Sequence, residues 1–123
     1  MIGMQSIRRI LVCVVPTDMR KSFDGLCGCV ESTFKQDPIN GNMFVFFNRK
    51  RTMVKMLLWD RSGFWIFSKR LESGTFSLRS FGGNGEIDMA ELMCILDGIE
   101  LGKSYRKKRF SFEKKPAKQI LFV

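Results

Sequence analysis

The sequence contains no histidine, only three prolines, and four cysteines at Cys13, Cys27, Cys29 and Cys94. Without histidine the commonest general base at neutral pH is missing, and every Ser-His or Cys-His nucleophile is excluded. Cys27 and Cys29 make a C-x-C pair, but no second close pair completes a zinc pattern. Cysteines this few and this scattered form no disulfide framework and read as reduced, partly buried thiols. No apolar run approaches the roughly 18 residues of a membrane span. The longest, Ile10 to Val15 and Met43 to Phe47, are strand-sized. Met1 to Ser6 lack the basic start and long apolar stretch of a signal peptide. The expectation is a cytoplasmic protein with no membrane contact, metal, cofactor or small-molecule substrate.

What is present is a 123-residue chain of 14.2 kDa, 45% hydrophobic, 12% aromatic and 27% charged. That is the profile of one globular domain, long enough to bury a real core. The net charge of +9 is unevenly spread. Arg49 to Arg79 carries eight basic residues against Asp60 and Glu72, whereas Glu86 to Glu100 carries five acids and no base. From Lys103 onward eight basic residues face one acid, Glu113. Two basic blocks interleaved with aromatics predict a polyanion partner, foremost nucleic acid. The competing reading is solvated surface charge, or a tail docked on the chain's own acidic segment.

Arg9 to Val15 is a β-branched run stopped by Pro16, and reads as a buried strand. Thr17 is expected as an N-cap and Asp18 as a helix-dipole partner. Met19, Phe23, Leu26, Val30 and Phe34 then trace one apolar stripe, predicting a helix from about Asp18 to Gln36. Arg20, Lys21, Asp24 and Glu31 fall off the stripe and face outward. Met43 to Phe47, Thr52 to Trp59 and Phe64 to Leu71 read as three strands joined by short turns, hence an antiparallel meander. One sheet face is expected to take the helix, leaving the other partly exposed, aromatic and basic. Thr75 to Phe81 is a candidate edge strand. Gly82 to Gly85 is a loop without the Lys-Ser/Thr of a phosphate cradle. Asp88 is expected to cap a short acidic helix with Met89, Leu92, Met93, Ile95 and Leu96 inward, ended by Gly98 or Gly102.

The fold class is therefore α+β: a small antiparallel sheet, a three-stranded meander plus the N-terminal strand, packed against one main helix. A short second helix and a basic tail follow it. Residues 1–102 form the domain, and 103–123 a basic segment expected to be flexible without a partner.

The run Pro16-Thr17-Asp18-Met19-Arg20-Lys21-Ser22-Phe23-Asp24-Gly25-Leu26 is distinctive, as are Met43 to Arg51 and Lys55 to Trp65, leading into Lys69 to Gly74. Within the second block Trp59, Asp60, Gly63, Phe64 and Trp65 carry the pattern. Together these motifs, spanning about Ile10 to Leu101, resemble the TnpB-type accessory protein of the insertion sequence 66 family of bacterial transposable elements. That family is distinct from the RNA-guided nucleases sharing the name. Ser22 stands where the family usually has glycine. The resemblance implies a small non-catalytic protein, encoded beside a separate transposase and supporting transposition.

Asp18, Asp24 and Asp60 are the carboxylates nearest the motifs. Asp18 and Asp24 lie six apart, about 120° from facing each other on one helix, which is poor geometry for a shared metal. No catalytic residue is assigned. As a nucleic-acid surface, Arg49, Lys50 and Arg51 sit at one hairpin tip, Lys55, Lys69 and Arg70 extend along the strands, and Arg20 and Lys21 add to them. Trp59, Trp65 and Phe67 are candidates for stacking on unpaired bases, or core residues of the sheet. The partners expected are DNA, at the ends of the element, and the transposase. The alternative is a protein adaptor gripping the transposase through its acidic helix or an aromatic sheet face, with no DNA contact. A DNA-bound protein would sit at the nucleoid.

Overall fold

A computed structural model of the chain describes residues 7–78 and 85–98. Five strands make one sheet: β1 (Ile10–Cys13), β2 (Met43–Phe47), β3 (Met53–Asp60), β4 (Gly63–Arg70) and β5 (Glu86–Ile87). Their order is β4-β3-β2-β1-β5. The expected meander is present, with Phe44 opposite Leu57 and Leu57 opposite Ile66. β1 makes the sheet mixed, because it runs parallel to β2 and antiparallel to β5. A parallel neighbour needs a crossover, and the helical segment between β1 and β2 supplies it. β1 and β2 are buried along their whole lengths, so they read as continuous apolar runs instead of alternating ones.

That crossover is shorter than the stripe predicted. Helix α1 spans Phe23–Cys29 and continues as a π-helical segment over Val30–Phe34. Thr17 is not its N-cap: Thr17 is buried and donates its backbone N–H to the Phe47 carbonyl at 2.9 Å, fastened to the end of β2. Asp18 is not its dipole partner. Its carboxylate accepts the Arg20 backbone N–H at 2.9 Å, a local turn that competes with helix. The N-cap position is Ser22, which is exposed and whose side chain makes no capping hydrogen bond. Residues four apart on an α-helix drift by about 40° around the axis. The wider π turn reverses that drift. Leu26, Val30 and Phe34 thus reach one face, with the Phe34 ring 5.1 Å from that of Phe44. Phe23, earlier on the stripe, stays 45% exposed. Arg20, Lys21, Asp24 and Glu31 face outward as expected. Lys35 ends the segment in the left-handed conformation.

Helix α2 spans Met89–Asp97, opened by a complete capping box between Asp88 and Glu91 and closed by Gly98. Leu92 and Ile95 are buried, and Leu96 packs beside them. Met89 and Met93 were expected inward, yet both are exposed, since two adjacent core positions already fill the narrow contact. Burying two aliphatic side chains stabilises by about 1.5–3 kcal/mol each, against about 1 kcal/mol for a cap. Packing therefore holds α2, and the cap fixes where it begins.

The second sheet face is not left open. α1 and the π segment cover Leu11, Phe44, Phe46 and Leu57. α2, with Phe76, covers Ile10, Val12, Val45, Val54 and Leu58 on the other side. The expectation of a bare aromatic and basic face fails because two separate pieces of chain each find an apolar surface. Thr75 to Leu78 form no strand; Phe76 instead inserts against Phe47, ring centroids 5.4 Å apart. The remainder of that candidate strand, residues 79–81, lies outside the described residues, as do residues 82–84, Gly102 and the basic segment 103–123. No helix among the described residues is long and apolar enough to cross a membrane.

Candidate nucleic-acid interface

The turn between β2 and β3 is built by Asn48. Its side-chain oxygen accepts the backbone N–H groups of Thr52 (2.9 Å) and Met53 (3.1 Å), and its amide donates to the Thr52 hydroxyl at 3.1 Å. Its own carbonyl accepts the Arg51 N–H at 3.1 Å. Arg51 takes a left-handed backbone (φ 57°), and its carbonyl is held by the Phe76 N–H at 2.7 Å. The consecutive cations Arg49, Lys50 and Arg51 are thereby displayed on a pinned tip, all three exposed. Among the described residues none of the three forms an ion pair.

Beside the tip lies a cleft of about 170 Å³, where Arg49 and Arg51 face Val14, Val15, Pro16 and Phe47. It opens at the carboxyl ends of the parallel pair β1 and β2. Val14 and Val15 are 61% and 58% exposed, although Arg9 to Val15 reads as one buried strand. Neither the pinning role of Asn48 nor this cleft was identified from sequence. An asparagine opening a basic turn is a signal for the first; the second depends on β1 lying next to β2, a long-range fact.

The other candidate cations are placed differently. Lys55 donates its ammonium to the Lys21 carbonyl at 2.7 Å, so those two residues meet on the α1 side. Lys69 pairs across from Val54, on the opposite sheet face, and its ammonium reaches the Leu96 carbonyl at 2.7 Å near the end of α2. Arg70 bonds Glu72 at 3.1 Å. Arg20 closes on Asp18 at 2.7 Å, and these bonds hold the Asp18 carboxyl down at about 2. The structure thus joins the tip triplet and pairs Lys55 with Lys21, but does not merge all eight cations into one stripe.

The family-motif residues mostly serve architecture. Leu26 is core, and Met19 packs against the same cluster. Gly25 sits so that a Cβ would press on Lys21 at 3.0 Å. Asp60 closes the β3–β4 turn opposite Gly63 and accepts the Trp65 indole N–H at 3.1 Å. Trp59 packs edge-on to Phe64 at 5.0 Å, whereas Trp65 stacks on Phe67 at 6.1 Å and remains 45% exposed. Burial, reinforced by Asp24, Glu31 and Asp37, pushes the Cys27 thiol up and away from thiolate chemistry. Among the described residues no three His, Cys, Asp or Glu side chains gather where a metal would bind.

The comparisons agree with the motifs. The family described as "IS66 Orf2 like protein" matches residues 8–106, and the chain belongs to that family of insertion-sequence accessory proteins. A Sinorhizobium fredii protein, y4hO, is 37% identical over 93 residues, covering 75% of this chain and 81% of its own. A second from the same organism, y4jC, is 38% identical over 76 residues, 62% of this chain and 65% of its own. No solved structure matches the chain.

Proposed function

We propose that the chain supports transposition of its element without catalysis, by binding element DNA through the Arg49–Arg51 tip. The observation that carries this reading is the contrast among its cations. Arg20, Lys55, Lys69 and Arg70 are each tied to a neighbour, while a fixed turn holds three in a row with no carboxylate partner among the described residues. Such a cluster contacts phosphates, which gives affinity and strong salt dependence without base preference. The adjoining cleft offers an apolar wall to a sugar or base lying beside those phosphates. Element-end specificity would need further contacts.

The test is binding of the full chain to a labelled element-end duplex and a scrambled one across a salt series. The triple substitution Arg49→Ala, Lys50→Ala, Arg51→Ala is expected to flatten the slope of log affinity against log salt by about 0.9 for each phosphate no longer neutralised. An unchanged slope removes the tip from the interface. A second reading, an adaptor for the transposase, is favoured by α2, where Met89 and Met93 stand exposed beside acidic residues. If the triple variant binds DNA normally but loses the transposase, the adaptor reading holds.

A further inference from the structure

We propose that β4 is a self-pairing edge: two copies join their β4 strands antiparallel about a two-fold axis at Phe67, making one continuous sheet. No described residue pairs with the outer side of β4, which ends the strand order. Edge strands in monomers are usually short, or broken by proline, a bulge or a central charge. β4 runs for eight residues with unbroken register against β3, contains no proline, and keeps its cations, Lys69 and Arg70, at one end.

The hydrogen-bond phase fixes which groups are offered. Leu71 donates to the Thr52 carbonyl directly opposite. Alternation along an antiparallel ladder then turns the backbone groups of Gly63, Trp65, Phe67 and Lys69 toward β3. Those of Phe64, Ile66, Ser68 and Arg70 point outward.

A two-fold axis normal to the sheet preserves faces, so each residue must meet one of like parity. Centred on Phe67, the register pairs Phe64 with the partner's Arg70 and Ile66 with the partner's Ser68, using all four outward residues. It also sets Trp65 against the partner's Lys69 and Phe67 against the partner's Phe67, in the closer, non-hydrogen-bonded positions. Each cation thus meets an aromatic ring, and no like charges face each other. Centred on Ile66, the register strands Arg70 and sets Lys69 across from Gly63. The strand is complementary to itself in one register, which argues for a second copy over a foreign strand. Trp65, 45% exposed and already stacked on Phe67, is the side chain this pairing covers.

In such a dimer the two Arg49–Arg51 tips point to opposite ends. Strand rise and spacing set them on the order of 40 Å apart, comparable with one turn of duplex. That consequence rests on the DNA reading; the dimer does not.

The experiment is sedimentation equilibrium of the full chain over a wide dilution series, with hydrogen exchange on the same samples. The expected mass is twice 14.2 kDa, with the amides of Phe64, Ile66, Ser68 and Arg70 protected in proportion to dimer. Ser68→Pro removes an outward N–H without touching the β3 ladder and is expected to halve the mass, while Ser68→Ala leaves it unchanged. A monomeric wild type, a Ser68→Pro variant that folds and remains dimeric, or rapid exchange of those four amides in the dimer overturns the proposal. Protection that persists in a monomer means the chain covers its own edge, and overturns it equally. If Ser68→Pro fails to fold, the exchange pattern alone decides. DNA binding by a monomer leaves the tip reading intact while removing this one.

Discussion

The two edges of the sheet are opposites. At one end β5 is two residues long, flanked by the Gly85 contact and the start of α2, with Arg9 and Glu86 paired across it at 2.7 Å. At the other end β4 offers eight residues, an exposed tryptophan and no close cover among the described residues. The first edge is short and closed onto β1 by backbone contacts, at positions where substitution disturbs the fold. The second keeps Phe64, Ile66 and Phe67 packed on the core while its outer backbone groups and half of Trp65 stay open. Stability and association therefore belong to different ends of one sheet, and mutations should separate them.

The largest effect is expected at Gly85. Its φ of +77° disfavours any side chain, and an added Cβ would lie 2.6 Å from the Val12 carbonyl oxygen. Gly85→Ala should cost about 2–4 kcal/mol in urea unfolding; a loss below about 1 kcal/mol would show the sealed edge to be compliant. Next comes α2, which abuts that edge. Leu92→Ala should cost about 3 kcal/mol, and Met93→Ala, at a position 50% exposed, less than about 0.5 kcal/mol. Equal losses would mean that α2 is not anchored by its buried pair.

Smaller still are Asp88→Ala, expected to cost about 1 kcal/mol through the lost capping box, and Trp65→Ala at the open edge. Because Trp65 is half exposed, its truncation should cost about 1 kcal/mol in the monomer. The same change should weaken any self-association much more. A large monomer loss with unchanged mass would erase the distinction between the edges.

The smallest effects are in pH. Hydrogen bonding from Arg9 holds the Glu86 carboxyl below its ordinary range, and Arg20 holds that of Asp18 at about 2. Both carboxyls are depressed in the folded state. Their contributions are therefore fully present above the unfolded values, about 4.3 and 3.9, and disappear as pH falls through the folded ones. Carboxyl titration by NMR should find Asp18 near 2, and Arg20→Gln should return it toward its ordinary value.

Local chemistry made much of this legible. The meander followed from short turns, and the α2 cap from Asp88 ahead of an apolar run, to which the structure adds the reciprocal bond with Glu91. The Arg49–Arg51 turn followed from its polar run between apolar segments. Partnership across long distances was not legible. Nothing near Ile10 announces that β1 pairs with both Met43 and Ile87, or that Phe76 closes a second face. The α1 stripe misled because Thr17 and Asp18 resemble a helix start, while β2 and Arg20 supply them with competing bonds. At the candidate site the tip was readable, but the tethering of Lys55 and Lys69 to backbone carbonyls was not. Lysines reaching carbonyls look like free charges in a sequence.

The interior position of β1 also sets a timetable. Of the five described strands it is the first made, and its four residues, Ile10 to Cys13, are apolar and buried. One flank waits for Met43, the other until Ile87 has been synthesised. The sheet therefore cannot zip from one end as the chain emerges. Closure is a late event, with loop entropy paid before the central ladder forms. An apolar strand stays incompletely paired until Ile87 has been made, and its open flank is an aggregation-prone surface in the meantime.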